Sequence, residues 1–193
     1  MAGKEDIADF VRRVVLSVET EMGKDAALAL TTGLSAASYP AAFKKQGAFD
    51  AKTLINLVET VQAYNYGVKP VILGTMSALS NVTPDSSLGF RGNWDASNGN
   101  IQVVKNFYGA DLMILPQFAA STTPSATLAL PDDTLYVVSP AMDKLVKGVL
   151  SNALTNTNQH FDNADLTQNF TYRKDWDFEF VGAAWGGTYK ITG

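Results

Sequence analysis

The chain contains no cysteine, which excludes disulfide staples, thiolate zinc sites and cysteine nucleophiles. Histidine is almost as scarce, His160 being the single one, so any Ser–His–acid triad would have to be built on that imidazole. No stretch approaches the 18 or more apolar residues of a membrane span. Residues 1–10, MAGKEDIADF, carry charge where a secretory signal needs an apolar core. These absences predict a protein made and kept in an aqueous, cytoplasmic compartment. With no export signal, Asn81-Val82-Thr83 and Asn169-Phe170-Thr171 read as chance matches to the glycosylation sequon.

A strong charge bias is missing as well. Lys and Arg number 15 against 19 Asp and Glu, for a net charge of −4, and neither sign forms a long run. No basic face announces nucleic-acid binding. The only basic doublets, Arg12-Arg13 and Lys44-Lys45, read as solvated faces.

What is present is an ordinary supply of core: 46% hydrophobic residues and 18% charged ones over 193 residues, enough for one domain or two lobes of one chain. Ile7, Phe10, Val11, Val14, Val18, Met22, Ala26 and Leu30 fall at helical spacing and predict one helix from Lys4 to about Leu34. Gly23 and Gly33 punctuate it, and Gly33 is the expected terminus because a glycine there suits a left-handed cap and Pro40 follows. Asp50 is placed to cap a second helix carrying Leu54, Leu57, Val58 and Val61 and ending near Gly67.

KPVILGT, residues 69–75, then reads as a buried strand and MSALSNV as a short helix behind it. Residues 84–100 are rich in Gly, Asn, Ser and Asp and read as a long surface loop. IQVVKNF offers a helix or strand before a turn at Gly109, and a strand runs from Asp111 to Leu115, stopped by Pro116. AASTTPSATLALPDD reads as a second loop and TLYVVS as a strand. The Asn-loaded residues 150–165 read as a crossing segment between two parts of the molecule. The C-terminal stretch alternates like antiparallel strands, with Gly186 and Gly187 supplying positive φ for a turn or bulge. Helices, a mixed middle and terminal strands, without regular alternation, predict an α+β architecture.

The chemistry-bearing candidate is KDWDFEF, residues 174–180, which sets Asp175, Asp177 and Glu179 on one strand face and Trp176, Phe178 and Phe180 on the other. Side chains two apart on a strand lie about 6.8 Å apart, whereas a divalent ion needs its oxygens within about 2.6 Å. One strand does not converge three acids on one ion. The acidic face is therefore read as solvated or partner-facing, and the aromatic face as packed on the first helix. His160 has no G-x-S-x-G elbow to serve, and GFRGN and WGG lack the spacing of a phosphate loop and read as turns. No catalytic, cofactor-binding or metal residue is assigned, and the chain is read as not an enzyme.

Taken together, DIADFVRRVVLSVETEMGKDAALAL, AKTLINLVETVQAY leading to KPVILGTMSALSNV, YGADLMILPQF, DTLYVV and the ending DWDFEFVGAAWGGTYKI resemble the major capsid proteins of tailed bacteriophages, which share the Hong Kong 97-like fold. The resemblance is one of order and pattern over nearly the whole chain. It implies a long spine helix, a peripheral lobe of residues 1–68 and 155–193, and an axial lobe of residues 69–154. The implied function is structural: the core of a major capsid subunit that self-assembles into hexamers and pentamers of an icosahedral head enclosing double-stranded DNA. The expected partners are copies of itself, with scaffolding, portal or decoration proteins beside them, and DNA is expected to be held only weakly. No membrane is implied. The expected location is the virion, after assembly in the host cytoplasm.

Family members carry an N-terminal arm and an extended loop before the spine helix. The helix predicted within a few residues of Met1 leads to the expectation that both are lacking here. An encapsulin-type bacterial compartment shell, of the same fold, is the near alternative. From other classes come a metal-dependent hydrolase using Asp175, Asp177 and Glu179, and a ligand-binding module using residues 84–100.

Overall fold

The computed structural model describes residues 7–82, 106–121, 127–151, 158–162, 167–171 and 174–192. The chain is a mixed α+β protein. Helix α1 spans Ile7–Ser35, and at 29 residues it is about 43 Å long. A 3-10 turn at Ala41–Phe43 leads into strand β1, Lys44–Gly47. Helix α2, Ala51–Tyr64, starts where the sequence predicts: Asp50 Oδ2 accepts from Thr53 N at 2.9 Å and from Thr53 Oγ1 at 2.6 Å. These bonds hold the exposed Asp50 carboxyl below the usual carboxylate range. Leu54, Leu57, Val58 and Val61 are all buried.

Strand β2, Val71–Gly74, runs into helix α3, Met76–Ser80, capped by Thr75 Oγ1 accepting from Ala78 N. Strands β3, Asn106–Phe107, and β4, Ala110–Ile114, form a hairpin. Tyr108 and Gly109 both have positive φ at its turn, the backbone that matches the twist of a two-residue hairpin. Asn106 Oδ1 accepts from Gly109 N and closes it. Strand β5, Thr134–Val138, is buried at every position, as a central strand covered on both faces must be.

One six-stranded sheet, in the order β1-β10-β5-β2-β4-β3, organises this part of the chain, with β10 at Gly187–Ile191. Cross-strand register sorts its side chains. Val137, Ile72 and Leu112 lie abreast, and with Leu135, Tyr189 and Phe107 they pack against α2 and α3. On the opposite face Tyr136, Val138 and Leu73 meet Leu30 and Leu34 from the C-terminal end of α1. The sheet takes β1 and β10 from the span expected to be peripheral and β2 to β5 from the span expected to be axial, so strand pairing joins the two.

Four local expectations are corrected. Gly33 does not terminate α1; the helix runs through both glycines to Ser35. A Cβ at Gly33 would lie 2.2 Å from Cγ of Phe180, so the missing side chain is what lets that ring reach the helix. Gly186 and Gly187 are not among the positive-φ residues. Their role is also close approach, since a Cβ there would meet Leu34 and Leu57 respectively at 2.7 Å. The Asn-rich stretch is not a plain crossing: its described residues contribute to β6, Val146–Ser151, and β7, Asn158–Asp162. Strand β7 pairs antiparallel with β8, Thr167–Thr171, and β6 with β9, Asp175–Phe180. Strand β9 and β10 are therefore not each other's neighbours, although they adjoin in sequence. The loop expected at residues 84–100 lies outside the described residues.

Tyr136 and Tyr189 are the largest fully buried side chains among the described residues, and the Tyr136 hydroxyl has no hydrogen-bond partner within full geometry among them. Burial pushes its pKa up to about 12; the nearby Ser35 hydroxyl acts the other way, the negative charge of Asp133 adds to the rise, and Thr31 and Thr134 oppose it. A phenol whose folded pKa is raised contributes stability that is complete below its unfolded value near 10 and is lost as pH climbs towards 12. Tyr136→Phe should thus reduce the loss of stability between pH 10 and 12, read by urea unfolding across that range, with the raised pKa of Tyr39 accounting for part of what remains.

The two helix glycines should behave oppositely. Gly33→Ala forces Phe180 aside and should cost about 1–2 kcal/mol. Gly23→Ala, whose Cβ would meet only Phe118 at an ordinary 3.7 Å, should gain about 0.5–1 kcal/mol of helix propensity. Equal thermal shifts for the two would contradict the packing described.

Candidate functional site

Strand β9 carries the residues that the sequence singled out, and its two faces part as expected. Asp177 and Glu179 are exposed, while Trp176, Phe178 and Phe180 are half-buried against α1. Two contacts fix the helix to the strand. The indole Nε1–H of Trp176 donates to Asp25 Oδ2 at 2.9 Å, and four residues further on Phe180 lies over Gly33. Between these contacts the strand advances about 13 Å and the helix about 12 Å, so the two elements run side by side in the same direction. Phe178 in turn lies over Gly148 of β6, where a Cβ would come within 2.5 Å of its ring. Each aromatic ring of the face has its own seat: a carboxylate for one, a missing side chain for the other two.

On the outward face, register sets Asp175 opposite Ser151, Asp177 opposite Val149 and Glu179 opposite Lys147. Lys147 also pairs with Asp143 at 3.2 Å, an arrangement that with the backbone N–H of Lys144 holds the Asp143 carboxyl below its usual range. Asp177 thus faces an apolar neighbour that is itself 71% exposed. Among the described residues, no group of three acid or histidine side chains converges as a metal shell would require.

The other sequence candidates are dispersed. Arg12 and Arg13 lie exposed on α1. Lys44 and Lys45 lie on β1 at the sheet edge, half-buried, and Lys44 Nζ donates to the carbonyl of Ala36 beyond the end of α1. His160 sits in β7 with Asn169 as its register partner. The GFRGN segment falls outside the described residues, and the glycines of WGG are packing positions rather than turns.

Sequence reasoning missed an aromatic assembly that joins the start of β1, the end of α2 and the approach to β10. Phe43 and Trp185 stack with centroids 5.0 Å apart and planes 12° apart, and Tyr64 closes edge-on to both. Tyr39 completes it; its hydroxyl donates to Gly186 O at 3.1 Å and accepts from Gly186 N at 2.8 Å. Burial raises the pKa of that hydroxyl, with the backbone hydrogen bond acting the other way. Asn65, 1% exposed, anchors the group. Its Nδ2 donates to Val61 O, Ser139 Oγ and Trp185 O, and its Oδ1 accepts from Trp185 N. The Asn-Tyr-Gly tripeptide after a helical run signals a helix end, but nothing in that signal says that the amide grips residue 185.

Comparison with protein-family models and with curated proteins returns no match for this chain.

If the Trp176–Asp25 bond ties strand to helix, Trp176→Phe, which deletes the donor together with the pyrrole part of the indole, should lower stability by about 1–2 kcal/mol. Asp25→Asn, which keeps an acceptor, should lower it by less. Urea unfolding of the two variants measures the difference, and an unchanged Trp176→Phe protein would contradict the tie.

Proposed function

We propose that this chain is a structural subunit, the core of a tailed-phage-type major capsid protein that binds copies of itself in hexamers and pentamers around double-stranded DNA. One observation carries the reading: a helix about 43 Å long lies alongside the aromatic face of β9, near the opposite end of the chain, while a six-stranded sheet formed mostly from the residues between them packs on the C-terminal end of that helix. A long helix packed on a C-terminal strand is in keeping with the spine helix that the resemblance to the Hong Kong 97-like fold implies. In this reading α1 with the β6–β9 ribbon is the peripheral part, and the six-stranded sheet with α2 and α3 is the axial part.

The mechanism is assembly. A subunit held by several neighbours at once gains from effective concentration, so a shell is firm even where each contact is weak. Surface chemistry supports this: Tyr66 is 89% exposed, Met76 66% and Tyr64 59%, and large apolar side chains at the surface favour protein contacts. A net charge of −4 suits a wall along which packed DNA slides, since duplex affinity grows with each phosphate neutralised. Scaffolding, portal and decoration proteins would be further partners, and the virion the final location. An encapsulin-type compartment shell shares the geometry and is separated from this reading by its contents, cargo enzyme instead of DNA.

The purified chain at rising concentration is expected to form rings, sheets or shells in negative-stain micrographs, with sedimentation shifting to match. It is also expected to leave duplex DNA unretarded at physiological salt. A chain that sediments as a monomer at millimolar concentration, or that binds duplex DNA tightly, would remove the proposal.

A further inference from the structure

Among the described residues β9 has a single strand neighbour, β6. Among those residues nothing pairs with its other edge, where backbone N–H and C=O groups are available to a further strand. Along that edge runs a groove of about 370 Å³, walled by Asp25, Leu28, Ala29 and Thr32 of α1 and floored by residues 176–178 of β9. No β6 residue lines it, which puts the groove on the side of β9 away from its partner. The four helix positions follow the i, i+3, i+4, i+7 spacing of one helical stripe. They cover about 10 Å, the length of about three strand residues.

We propose that this edge accepts an extended peptide segment by strand addition, and that the segment alternates basic with apolar residues. Residues directly opposite in a sheet share a face. The added strand would therefore set every second side chain beneath Leu28 and Ala29, where small apolar groups fit, and the rest beside Asp177 and Glu179. Glu179 already has Lys147 across the β6 side, but the register partner of Asp177 is Val149, so Asp177 offers a charge with no cation opposite it.

The same acids rule out the simplest occupant, β9 of a second copy. An antiparallel β9–β9 pair that kept its aromatic rings on one face would set carboxylates opposite carboxylates, and like charges directly opposite destabilise a sheet. This proposal stands on the edge and the groove and does not need the shell reading.

The test titrates the ¹⁵N-labelled full chain with a seven-residue synthetic peptide alternating valine and lysine, and separately with its valine–glutamate counterpart. The lysine peptide should shift the backbone amides of residues 175–179 and the indole N–H of Trp176 saturably, and the glutamate peptide should not. Asp177→Lys, at an exposed position that leaves the fold intact, should weaken binding about fivefold. Ala29→Phe, which fills the groove, should abolish it. Absence of saturable shifts at millimolar lysine peptide, equal binding of the two peptides, full binding by Asp177→Lys, or shifts confined to another strand edge would each overturn the proposal.

Discussion

The structure depends on how closely backbone and side chain approach at a few positions without a Cβ. Gly33 lets the ring of Phe180 sit on α1, Gly148 lets Phe178 sit on β6, and Gly186 and Gly187 admit Leu34 and Leu57. Each contact brings together segments far apart in sequence. Without Gly33 and Gly186 the first helix would stand off the C-terminal segments it packs on by the width of a methyl group, and the dispersion contacts that hold such surfaces decay steeply over that distance. Helix-on-strand packing here is thus a steric permission as much as an apolar attraction.

Given that approach, the polar interactions act as alignment. Trp176 donates to Asp25 and fixes where along α1 the strand lies. Asn65 spends its amide on three carbonyl and hydroxyl oxygens and one backbone N–H, so the residue that ends α2 also sets the path into β10. Tyr189 does similar work at the other end of that strand, its hydroxyl donating to Ala48 O while accepting from Asp50 N. These groups are buried or partly so, and a buried polar group left unpaired is costly. They therefore favour one arrangement over near alternatives. Tyr136 is the exception, a buried hydroxyl tolerated for the volume of its ring.

The outer surfaces carry the functional reading. Among the described residues, the two-stranded ribbon beside the long helix has an edge with no neighbouring strand, and large apolar side chains such as Tyr66 and Met76 face outward, features that favour contact with other chains. In the strand addition proposed above, the acids of β9 would discourage pairing of like edges and favour a basic partner.

Periodicity alone was enough to read the long helix, the capped second helix, the strand at residues 71–74 with its short helix, the hairpin turn at Gly109 and the two-faced character of β9. All of these follow from local rules in which each residue answers to neighbours within about four positions. The pairing of β9 with β6 instead of β10, the six-stranded order and the grip of Asn65 on residue 185 were not legible, because hydrogen-bond ladders between distant strands leave no periodic mark on either. The glycines show the division most plainly. A glycine without positive φ looks the same in a sequence whether it ends a helix, makes a turn or admits a ring, and only the side chain that arrives from elsewhere decides which.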